Sequence, residues 1–399
     1  MKIAFYNPSR IIGGAEILFY RLQSELKSRG IQSQIIDYSN GAFIKLGGSS
    51  EDLVSISSVL ESCTVDCDAI FIPPNFSYEA LSNLKLKRNT KILFWSIHPL
   101  NCIPILPFRF YKELKPYSKI KKFIDLVFLR SQINFAKSLF NMATERNALL
   151  FMDNENYTTA NQFLQGNAKL AFLPIPVSFE VKPGNFEKKL KPKNKFEIFW
   201  IGRLVDFKIG SLNRLIQDLD TWSSYSQTEI VLHIVGGGKE ERLVIEPKKI
   251  AIVRHGQITN QALQSLLIER ADAAFAMGTS VLEAAAHGIP SFIVAPTYLK
   301  VGDPESYTPL PQTKNFDLGG FEKNPQSKSF DQIQLRENIH SMEFRNSCKD
   351  YVESNHSLKK VVDTLISLEK SSTLFYSDIE HQFKRDFLTR RFYSLITGK

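Results

Sequence analysis

The chain carries two successive sets of short, almost continuously apolar runs, each interleaved with segments of helical character. Such runs are typical of parallel strands that helices cover on both faces of a sheet. In the first half the predicted strands are 2–7, 32–38, 68–74, 90–99, 147–153 and 168–176. In the second half they are 196–203, 229–238, 248–256, 272–278 and 289–295. Predicted helices include 13–30, 208–222 and 260–271, and the chain after 330 is also predicted to be helical. The sequence therefore predicts an α/β protein built from two similar halves.

A lysine-rich segment separates the two sets of strands. Residues 179–196 contain two prolines and no periodic apolar face, so we interpret them as an interdomain linker. A chain of 399 residues is long enough for two domains. We therefore expect an N-terminal Rossmann-like domain at 1–178, a C-terminal Rossmann-like domain at 197–375, and a last helix at 376–399.

Composition excludes several protein classes. The chain is 43% hydrophobic and 23% charged, which is normal for a globular protein. Its four cysteines are too few for a disulfide framework, and the lone pair Cys63 and Cys67 has no second pair or nearby histidine to complete a zinc site. The first residues are interpreted as a strand rather than a signal peptide, and no apolar run reaches the ~18 residues that span a bilayer. We expect a cytoplasmic protein.

The net charge of +9 is concentrated in one stretch. Between 105 and 137, eight basic residues oppose two acidic ones, and aromatic residues are interleaved with them. One interpretation is a solvated helix face, and the other is a surface that contacts anionic lipid headgroups. Nucleic acid is not expected, because no recognised binding motif accompanies the charge. The basic, amphipathic tail 384–399 leaves the same choice between docking on the protein and membrane contact.

Four predicted strands of the second half end in glycine-containing turns. These turns are Gly202-Arg203, Gly236-Gly237-Gly238, His255-Gly256 and Gly278-Thr279-Ser280. The carboxyl ends of parallel strands meet at one edge of a sheet, where open α/β proteins bind their ligands. Arg203 and Lys208 supply donors suited to phosphate, and a helix that starts at Ser280 offers free N–H groups to an anion. The pattern predicts a site for a phosphorylated ligand.

Glu283 has two interpretations in the stretch GTSVLEAAAHGIPSF (278–292). As the third residue after Ser280, it can reach back to the start of the helix and complete a capping box. It can also face the glycine edge and accept hydrogen bonds from a ligand. The two roles are compatible, and the local sequence does not choose between them.

Three segments resemble the motifs of retaining glycosyltransferases of the GT-B fold, in the group called glycosyltransferase family 4 or group 1. GGAE (13–16) matches the N-terminal glycine loop of that family. GRLVDFK (202–208) matches its Gly-Arg-x4-Lys pattern, and GTSVLEAAAHGIP (278–290) matches the block that ends in Glu-Ala-x-Ala-x-Gly-x-Pro. The order and spacing of the segments extend the resemblance over nearly the whole chain.

The resemblance implies two Rossmann-like domains that face each other across a cleft, with the last helix, 376–399, returning to the first domain. Residues 1–178 would bind the acceptor and 197–375 the nucleotide sugar. It also implies roles for catalytic residues. Arg203 and Lys208 would neutralise the diphosphate of the leaving group, and His98 would lie beside the donor sugar. From the residues alone, His98 before Pro99 is as well explained by a turn that it stabilises.

The donor-binding residues follow from the same resemblance. Glu283 would accept hydrogen bonds from the ribose hydroxyls, and the backbone of Thr279 and Ser280 would hold the diphosphate. Gly13 and Gly14 would let the first domain approach the donor, where a side chain would collide. The other predicted donor-binding residues are strand-end residues: Gly202, Gly236, Gly237, His255 and Gly278. No metal is implied, because no Asp-x-Asp pair is placed to hold one near the donor, and no cofactor is expected besides the nucleotide-sugar substrate.

One position departs from the family pattern. The family often has a second acid eight residues before Glu283, where it grips the sugar, and this chain has Phe275 there. The expected function is transfer of a sugar, with retention, to a glycan or lipid-linked acceptor in the synthesis of a bacterial surface polysaccharide such as lipopolysaccharide. The expected location is cytoplasmic, with peripheral attachment to the inner face of the plasma membrane if 105–137 contacts lipid. Two alternatives stay open: a sugar-nucleotide 2-epimerase, and a non-catalytic relative that binds nucleotide, membrane or a partner.

Overall fold

The computed structural model describes residues 1–106, 123–177, 195–226, 228–321 and 324–383. Nearly all of the predicted linker 179–196, residues 107–122 of the basic stretch 105–137, and the tail 384–399 lie outside these residues. The chain divides into two compact units. The first consists of Met1–Pro176 and the chain from Val361 onward, and the second of Val177–Lys360.

The first unit contains a six-stranded sheet with the order β3-β2-β1-β5-β7-β8. Its described strands are β1 (Lys2–Tyr6), β2 (Gln32–Tyr38), β3 (Leu53–Ile56), β4 (Cys63–Thr64), β5 (Ala69–Ile72), β6 (Leu84–Lys85), β7 (Lys91–Ser96) and β8 (Leu149–Phe151). Its helices before Pro176 are α1 (Gly14–Ser28), α2 (Ala42–Lys45), α3 (Ser77–Asn83), α4 (Arg130–Glu145) and α5 (Asn154–Phe163). All the pairs in the main sheet are parallel, and β4 pairs separately with β6.

The packing of α1 shows why this segment is helical. Leu18, Leu22 and Leu26 follow each other at four-residue intervals, lie on one face, and are buried. Phe19 is also buried, and its ring meets the ring of Trp95 edge to face at a centroid distance of 5.6 Å. The apolar face of the helix therefore closes one side of the first sheet.

The second unit contains a six-stranded sheet with the order β11-β10-β9-β12-β13-β14. Its strands are β9 (Lys195–Ile201), β10 (Glu229–Val235), β11 (Ala251–Gly256), β12 (Ala273–Ala276), β13 (Ser291–Val294) and β14 (Tyr307–Pro309). Its described helices are α6 (Asp206–Ser226), α7 (Asn260–Arg270), α8 (Thr279–Ala286), α9 (Leu335–His340) and α10 (Met342–His356). Among the strands described in this sheet, β14 alone runs antiparallel to its neighbour. When the β4–β6 pair is set aside, both main sheets have the strand order of a Rossmann fold.

After the second unit, the chain continues through α11 (Leu358–Ser371) and α12 (Tyr376–Phe383) into the first unit. The Ile92 N–H donates to the carbonyl of Leu374 at 2.9 Å. Ile379 and Phe383 of α12 are buried in the core of the first unit. The prediction that the C-terminal helix returns to the first domain is confirmed for 376–383, and the return begins earlier, at Val361.

The structure corrects two details of the predicted strands. Residues 168–176 form no strand; a single bridge joins Phe172 to Phe151. Pro174 and Pro176 explain this, because proline has no N–H to donate to a ladder. The short strands β3 and β14 lie at the edges of their sheets and were not predicted.

No helix in the described parts of the chain is both long enough and apolar enough to cross a membrane. The four cysteines are free thiols.

Candidate functional site

The candidate site lies where the strand order of the second sheet reverses. β9 has β10 on one side and β12 on the other, so the connections that leave these central strands run toward opposite ends of the sheet. Open parallel sheets bind ligands at the carboxyl ends of the strands at such a point. Gly202 follows β9, and Gly278 lies just beyond β12. The structure therefore places these two predicted residues on the two sides of the crevice.

Hydrogen bonds join the loops that follow β9 and β10. The Gly202 N–H donates to the carbonyl of Val235 at 3.0 Å, and the Leu204 N–H donates to the carbonyl of Gly237 at 3.1 Å. The two strand ends thus continue their pairing beyond the sheet and form a continuous backbone surface at its edge.

Close approach between these loops explains two of the three consecutive glycines. A β-carbon on Gly236 would lie 2.2 Å from the carbonyl oxygen of Gly202, and one on Gly238 would lie 2.0 Å from that of Leu204. Real β-carbons do not come this close to backbone. A β-carbon on Gly237 would meet nothing closer than 3.7 Å. Packing therefore accounts for Gly236 and Gly238, but it does not account for Gly237.

Two cations stand at this edge. Lys208 lies in the first turn of α6, and its ammonium bends back over Gly202, 3.5 Å from where a β-carbon on that glycine would be. Arg203 is exposed beside it. Within the described parts of the chain, neither cation has a hydrogen-bond or ion-pair partner. Burial, and secondarily the charge of Arg203, lowers the pKa of Lys208 to about 8. An anion bound here would relieve the uncompensated positive charge.

A third donor near Gly202 was missed by the sequence analysis. The indole Nε1 of Trp200 is buried and has no hydrogen-bond partner among the described residues. It lies 3.6 Å from the position of a β-carbon on Gly202. Buried donors without partners are rare and call for an explanation. Trp200 lies in an apolar strand, so its sequence context indicated only a core residue.

The helix that contains Glu283 begins two residues earlier than predicted. α8 runs Thr279–Ala286, and Gly278 is its N-cap residue, with φ 68° and no side-chain cap. The capping-box interpretation of Ser280 and Glu283 is therefore wrong, because Ser280 lies inside the helix and Glu283 in its second turn. Thr279, Ser280 and Glu283 are half-buried. The backbone N–H groups of the first helical turn have no intrahelical acceptors.

A segment distant in sequence positions this turn. The Gly278 N–H donates to the carbonyl of Leu318 at 2.8 Å. The carboxylate of Asp317 accepts the N–H of Gly319 at 2.9 Å and so helps to shape this segment. Phe316 has φ 59°, a left-handed conformation that is uncommon for an aromatic residue. No local pattern indicated that this segment would meet the glycine turn.

Phe275 is a core residue. Its side chain is fully buried and stacks on Phe292 at a centroid distance of 5.0 Å. The ring of Tyr307 meets it edge to face at 5.6 Å. Where the resemblance implies an acid, the chain therefore has a core residue that packs against neighbouring strands.

His255 lies in a stack of rings on the sheet. Its Nε2 is 2.9 Å from Nδ1 of His233, and the His233 ring stacks on Phe199 at 4.5 Å. Burial lowers the pKa of both histidines, to about 4 for His233. The carbonyl of Gly256 accepts the Gly236 N–H at 2.8 Å, which connects this strand end to the glycine edge. The contact of His255 with a donor stays a prediction.

In the first unit, His98 follows β7 and belongs to a turn. The N–H groups of Ile97 and His98 donate to the side-chain oxygen of Asn101 at 2.9 and 2.8 Å. Nδ1 of His98 accepts the Leu100 N–H at 3.2 Å. The neutral ring therefore carries its proton on Nε2, and partial burial lowers the pKa of His98. The turn uses one ring nitrogen and leaves the other as a donor, so the structural and catalytic interpretations are compatible.

The predicted glycine pair lies at the start of α1. Gly13 is its N-cap residue, and a β-carbon there would lie 2.9 Å from a carboxylate oxygen of Glu16. Glu16 in turn accepts a hydrogen bond from the side chain of Asn7 at 3.2 Å. A β-carbon on Gly14 would meet nothing within 4 Å. Packing does not account for Gly14, so the donor-approach role stays a prediction.

The described residues contain no group of three or more His, Cys, Asp or Glu side chains placed to hold a metal ion.

Comparisons with known proteins give structural matches alone. No protein-family model matches the chain, and no curated protein matches its sequence. A glycosyltransferase from Rickettsia africae ESF-5 is similar at a TM-score of 0.55 and 15% identity, covering 92% of this chain and 97% of that one. The lipopolysaccharide outer core galactosyltransferase WaaB is similar at a TM-score of 0.51 and 14% identity, covering 93% of this chain and 99% of that one. An alpha-glucosyltransferase in complex with UDP is similar at a TM-score of 0.50 and 9% identity, covering 93% of this chain and 100% of that one.

At these identities the similarity shows the fold and nothing more. The fold is the GT-B fold of glycosyltransferases, with two Rossmann-like domains. The prediction of fold class is confirmed.

Proposed function

We propose that the protein is a retaining glycosyltransferase that transfers a sugar from a nucleoside-diphosphate donor to a glycan or lipid-linked acceptor in the synthesis of a bacterial surface polysaccharide. The observation that carries the proposal is the pair of unpartnered cations, Arg203 and Lys208, at the switch point of a Rossmann-like sheet. The half-buried positive charge of Lys208 is costly without a partner, and a diphosphate would compensate it while also contacting the exposed Arg203.

The cations have a direct role in this chemistry. When the bond between the sugar and the diphosphate breaks, negative charge develops on the leaving phosphate. Arg203 can contact two phosphate oxygens with its planar group, and Lys208 adds a point charge. Donors aimed at developing charge usually make the largest contribution to catalysis. The proposal assigns this charge stabilisation to the two side chains and requires no metal ion.

The remaining roles surround the diphosphate. The backbone at Thr279 and Ser280 holds the phosphates at the start of α8, and Glu283 accepts hydrogen bonds from the ribose hydroxyls. From the first domain, Gly14 allows the donor to approach, and Nε2–H of His98 donates to the sugar. Retention follows from attack on the same face as the departing diphosphate, as the resemblance implies.

Donor turnover tests the proposal. The protein is incubated with radiolabelled UDP-, GDP-, ADP- and dTDP-sugars and a bacterial envelope lipid extract, with and without EDTA. We expect one donor class to be consumed, with unchanged anomeric configuration in the product and no effect of EDTA. Arg203→Ala should lower the rate at least about 100-fold. Arg270→Ala is the control, because Arg270 ends α7 and forms an ion pair with Glu197 near the start of β9, not with the glycine turns that follow the strands.

Other outcomes would identify the alternatives. Conversion of the donor into a 2-epimer, without transfer, would establish the epimerase. Binding of a nucleotide without turnover of any donor would favour the non-catalytic relative.

We also propose that the basic stretch 105–137 contacts anionic membrane. Its described residues support this, because Phe123, Val127 and Phe128 are exposed beside Arg130. Apolar side chains next to cations suit the boundary of a bilayer. In sedimentation assays, we expect binding to vesicles that contain phosphatidylglycerol and not to pure phosphatidylcholine, with loss of binding in Phe123→Ser/Phe128→Ser. Equal binding to both vesicle types, or no binding, would contradict this assignment.

A further inference from the structure

Three aromatic rings of the second unit form a surface cluster, here called the aromatic platform: the half-buried Phe207 and the exposed Tyr298 and Phe321. Tyr298 and Phe321 are stacked, with centroids 5.1 Å apart and planes within 6°. The ring of Phe207 lies 6.5 Å from Tyr298 and 6.1 Å from Phe321. Tyr298 is nevertheless 70% exposed and Phe321 is 51% exposed. Clustered exposed apolar groups usually mark a binding surface.

The loop that carries Tyr298 is held in place by backbone hydrogen bonds. It follows β13 and is attached to the first turns of α6. The Thr297 N–H donates to the carbonyl of Phe207, and the Gly302 N–H to that of Gly210, both at 2.8 Å. A third hydrogen bond runs the other way, from the hydroxyl of Ser211 in α6 to the carbonyl of Ala295 in the loop, at 2.6 Å. The loop is therefore held in a defined conformation by these hydrogen bonds. The exposure of Tyr298 does not result from a lack of contacts in its loop.

The side chain missing at Gly210 makes this attachment possible. A β-carbon there would lie 2.0 Å from the carbonyl oxygen of Leu299. The helix and loop backbones thus approach each other as closely as the chain permits. The side chain of Leu299, next to Tyr298, is 65% exposed.

The platform adjoins the proposed donor site. The ammonium of Lys208 lies 5.9 Å from the centre of the Phe207 ring. Charges of both signs border the rings. Asp206, which precedes Phe207, and Lys300, two residues after Tyr298, are both exposed. Partial burial, and then the Asp206 carboxylate, raises the pKa of Tyr298, which places that acid close to the phenol.

We propose that the aromatic platform binds sugar rings of the acceptor glycan. A pyranose has one face of C–H groups, which stacks on aromatic rings, and hydroxyls at its edge, which need charged or polar partners. The platform offers both, as flat rings with a mixed-charge border. An anionic membrane would not favour Asp206 beside the rings. Tyr298 and Phe321 cover one face of each other, so a sugar would stack on the outer face of either ring. The inference rests on the proposed transferase function and gives the acceptor a contact on the second unit, in addition to the acceptor-binding domain that the resemblance implies at 1–178.

Saturation-transfer NMR tests the proposal on the full-length protein, with cellohexaose, maltohexaose and chitohexaose as probes. We expect at least one oligosaccharide to receive saturation at its C–H protons without nucleotide present. Tyr298→Ala and Phe321→Ala should each weaken its binding about fivefold to tenfold, since an aromatic contact contributes about 1 kcal/mol. Tyr298→Phe, which keeps the ring, should bind as the wild type does. Tyr225→Ala is the matched control, because Tyr225 is 62% exposed at the far end of α6.

Three results would overturn the proposal. These are no binding of any probe by the wild type, unchanged binding in both alanine variants, or equal loss in Tyr225→Ala. A parallel measurement with UDP, GDP, ADP and dTDP separates this inference from the proposed function. Loss of glycan binding with the nucleotide-induced thermal shift retained supports the platform as an acceptor surface. Glycan binding without any nucleotide effect in the wild type would retain a sugar-binding platform but refute the transferase function and, with it, the acceptor role.

Discussion

Lys208 is a residue whose charge the folded protein partly buries without neutralising it. Its ammonium bends back over Gly202, beside the cation of Arg203, and its pKa falls to about 8. A lysine in such surroundings costs stability, and proteins retain such costs at functional sites. This residue therefore gives predictions about both binding and stability.

The affinity for a nucleoside diphosphate should depend on the protonation of Lys208. The free protein loses this proton as the pH rises through about 8, whereas a bound diphosphate would raise the pKa and hold the proton. Affinity should therefore be full below that pH and fall roughly tenfold between about pH 8 and about pH 9. Calorimetric titration measures it. Lys208→Arg, which stays charged, should lose this dependence on pH. Any change of affinity with pH that remains in this variant comes from ionisation of the nucleotide itself.

Removal of the same charge should stabilise the protein without ligand. Because the folded state lowers the pKa of Lys208, folding disfavours its charged form at neutral pH. Lys208→Met keeps the chain length without the charge, so we expect a melting temperature higher by a few degrees. The same variant should lose nucleotide binding. A lower melting temperature would show that the ammonium has a stabilising partner.

At the scale of elements, the site is a set of loops whose backbones touch. Hydrogen bonds connect the loops after β9 and β10, and the carbonyl of Leu318 fixes the turn before α8. The glycines of these loops are therefore partly structural and partly available to a ligand.

Gly236 and Gly237 should differ when each is changed to alanine. Gly236 has φ 126°, and its β-carbon would lie 2.2 Å from the Gly202 carbonyl. Gly236→Ala should lower the free energy of unfolding by about 2 kcal/mol or more, because the loops must separate and the backbone is strained. Gly237→Ala should change it by less than about 1 kcal/mol. Urea unfolding followed by tryptophan fluorescence measures both. Equal effects would contradict the packing explanation.

Sequence patterns predicted most of the elements because buried parallel strands are apolar throughout. β2 matches its predicted bounds, 32–38, β9 begins one residue before its predicted start at 196, and the other central strands fall inside their predicted bounds. The segment 168–176 looked like a strand for the same reason, but its prolines remove ladder donors. β14 is short and ends in Pro309, so it lacked a strand signal.

Within the site, sequence reasoning identified residues at strand ends and missed those brought in from elsewhere. Gly202, Arg203 and Gly278 follow central strands, so topology alone places them together. The buried indole of Trp200 and the support from Leu318 depend on tertiary packing that no local pattern encodes. The helix cap was misplaced because Gly278 takes a left-handed conformation that brings the chain into the helix at Thr279.

At the scale of the whole molecule, the C-terminal segment is part of the first unit. Leu374 pairs with β7, and Glu369 forms an ion pair with Lys91 at 3.0 Å. Ile379 is fully buried in the same core. The first unit is thus discontinuous in sequence, and its stability depends on residues that follow the second unit.

Hydrogen exchange should reveal this organisation. Ile379→Ala should destabilise the first unit by about 2–5 kcal/mol, since a fully buried side chain is truncated. Exchange should accelerate in peptides from β1, β5 and β7 and stay unchanged in those from β9 and β12. Ile339→Ala, in the core of the second unit, should give the reverse pattern. Acceleration in both units by either change would contradict the division.

The central claim is that a nucleoside diphosphate binds at the edge formed by Arg203, Lys208 and Glu283. The most direct test is the thermal stabilisation of the protein by UDP, GDP, ADP, CDP, dTDP and CMP. It is measured for the wild type, Arg203→Ala, Glu283→Ala and the control Arg270→Ala. A ligand at about 100 times its dissociation constant should add about 2.7 kcal/mol. We expect one diphosphate to shift the melting of the wild type and of the control, and both site variants to lose that shift. If no nucleotide shifts the melting of the wild type, the assignment of this edge as a donor site is wrong.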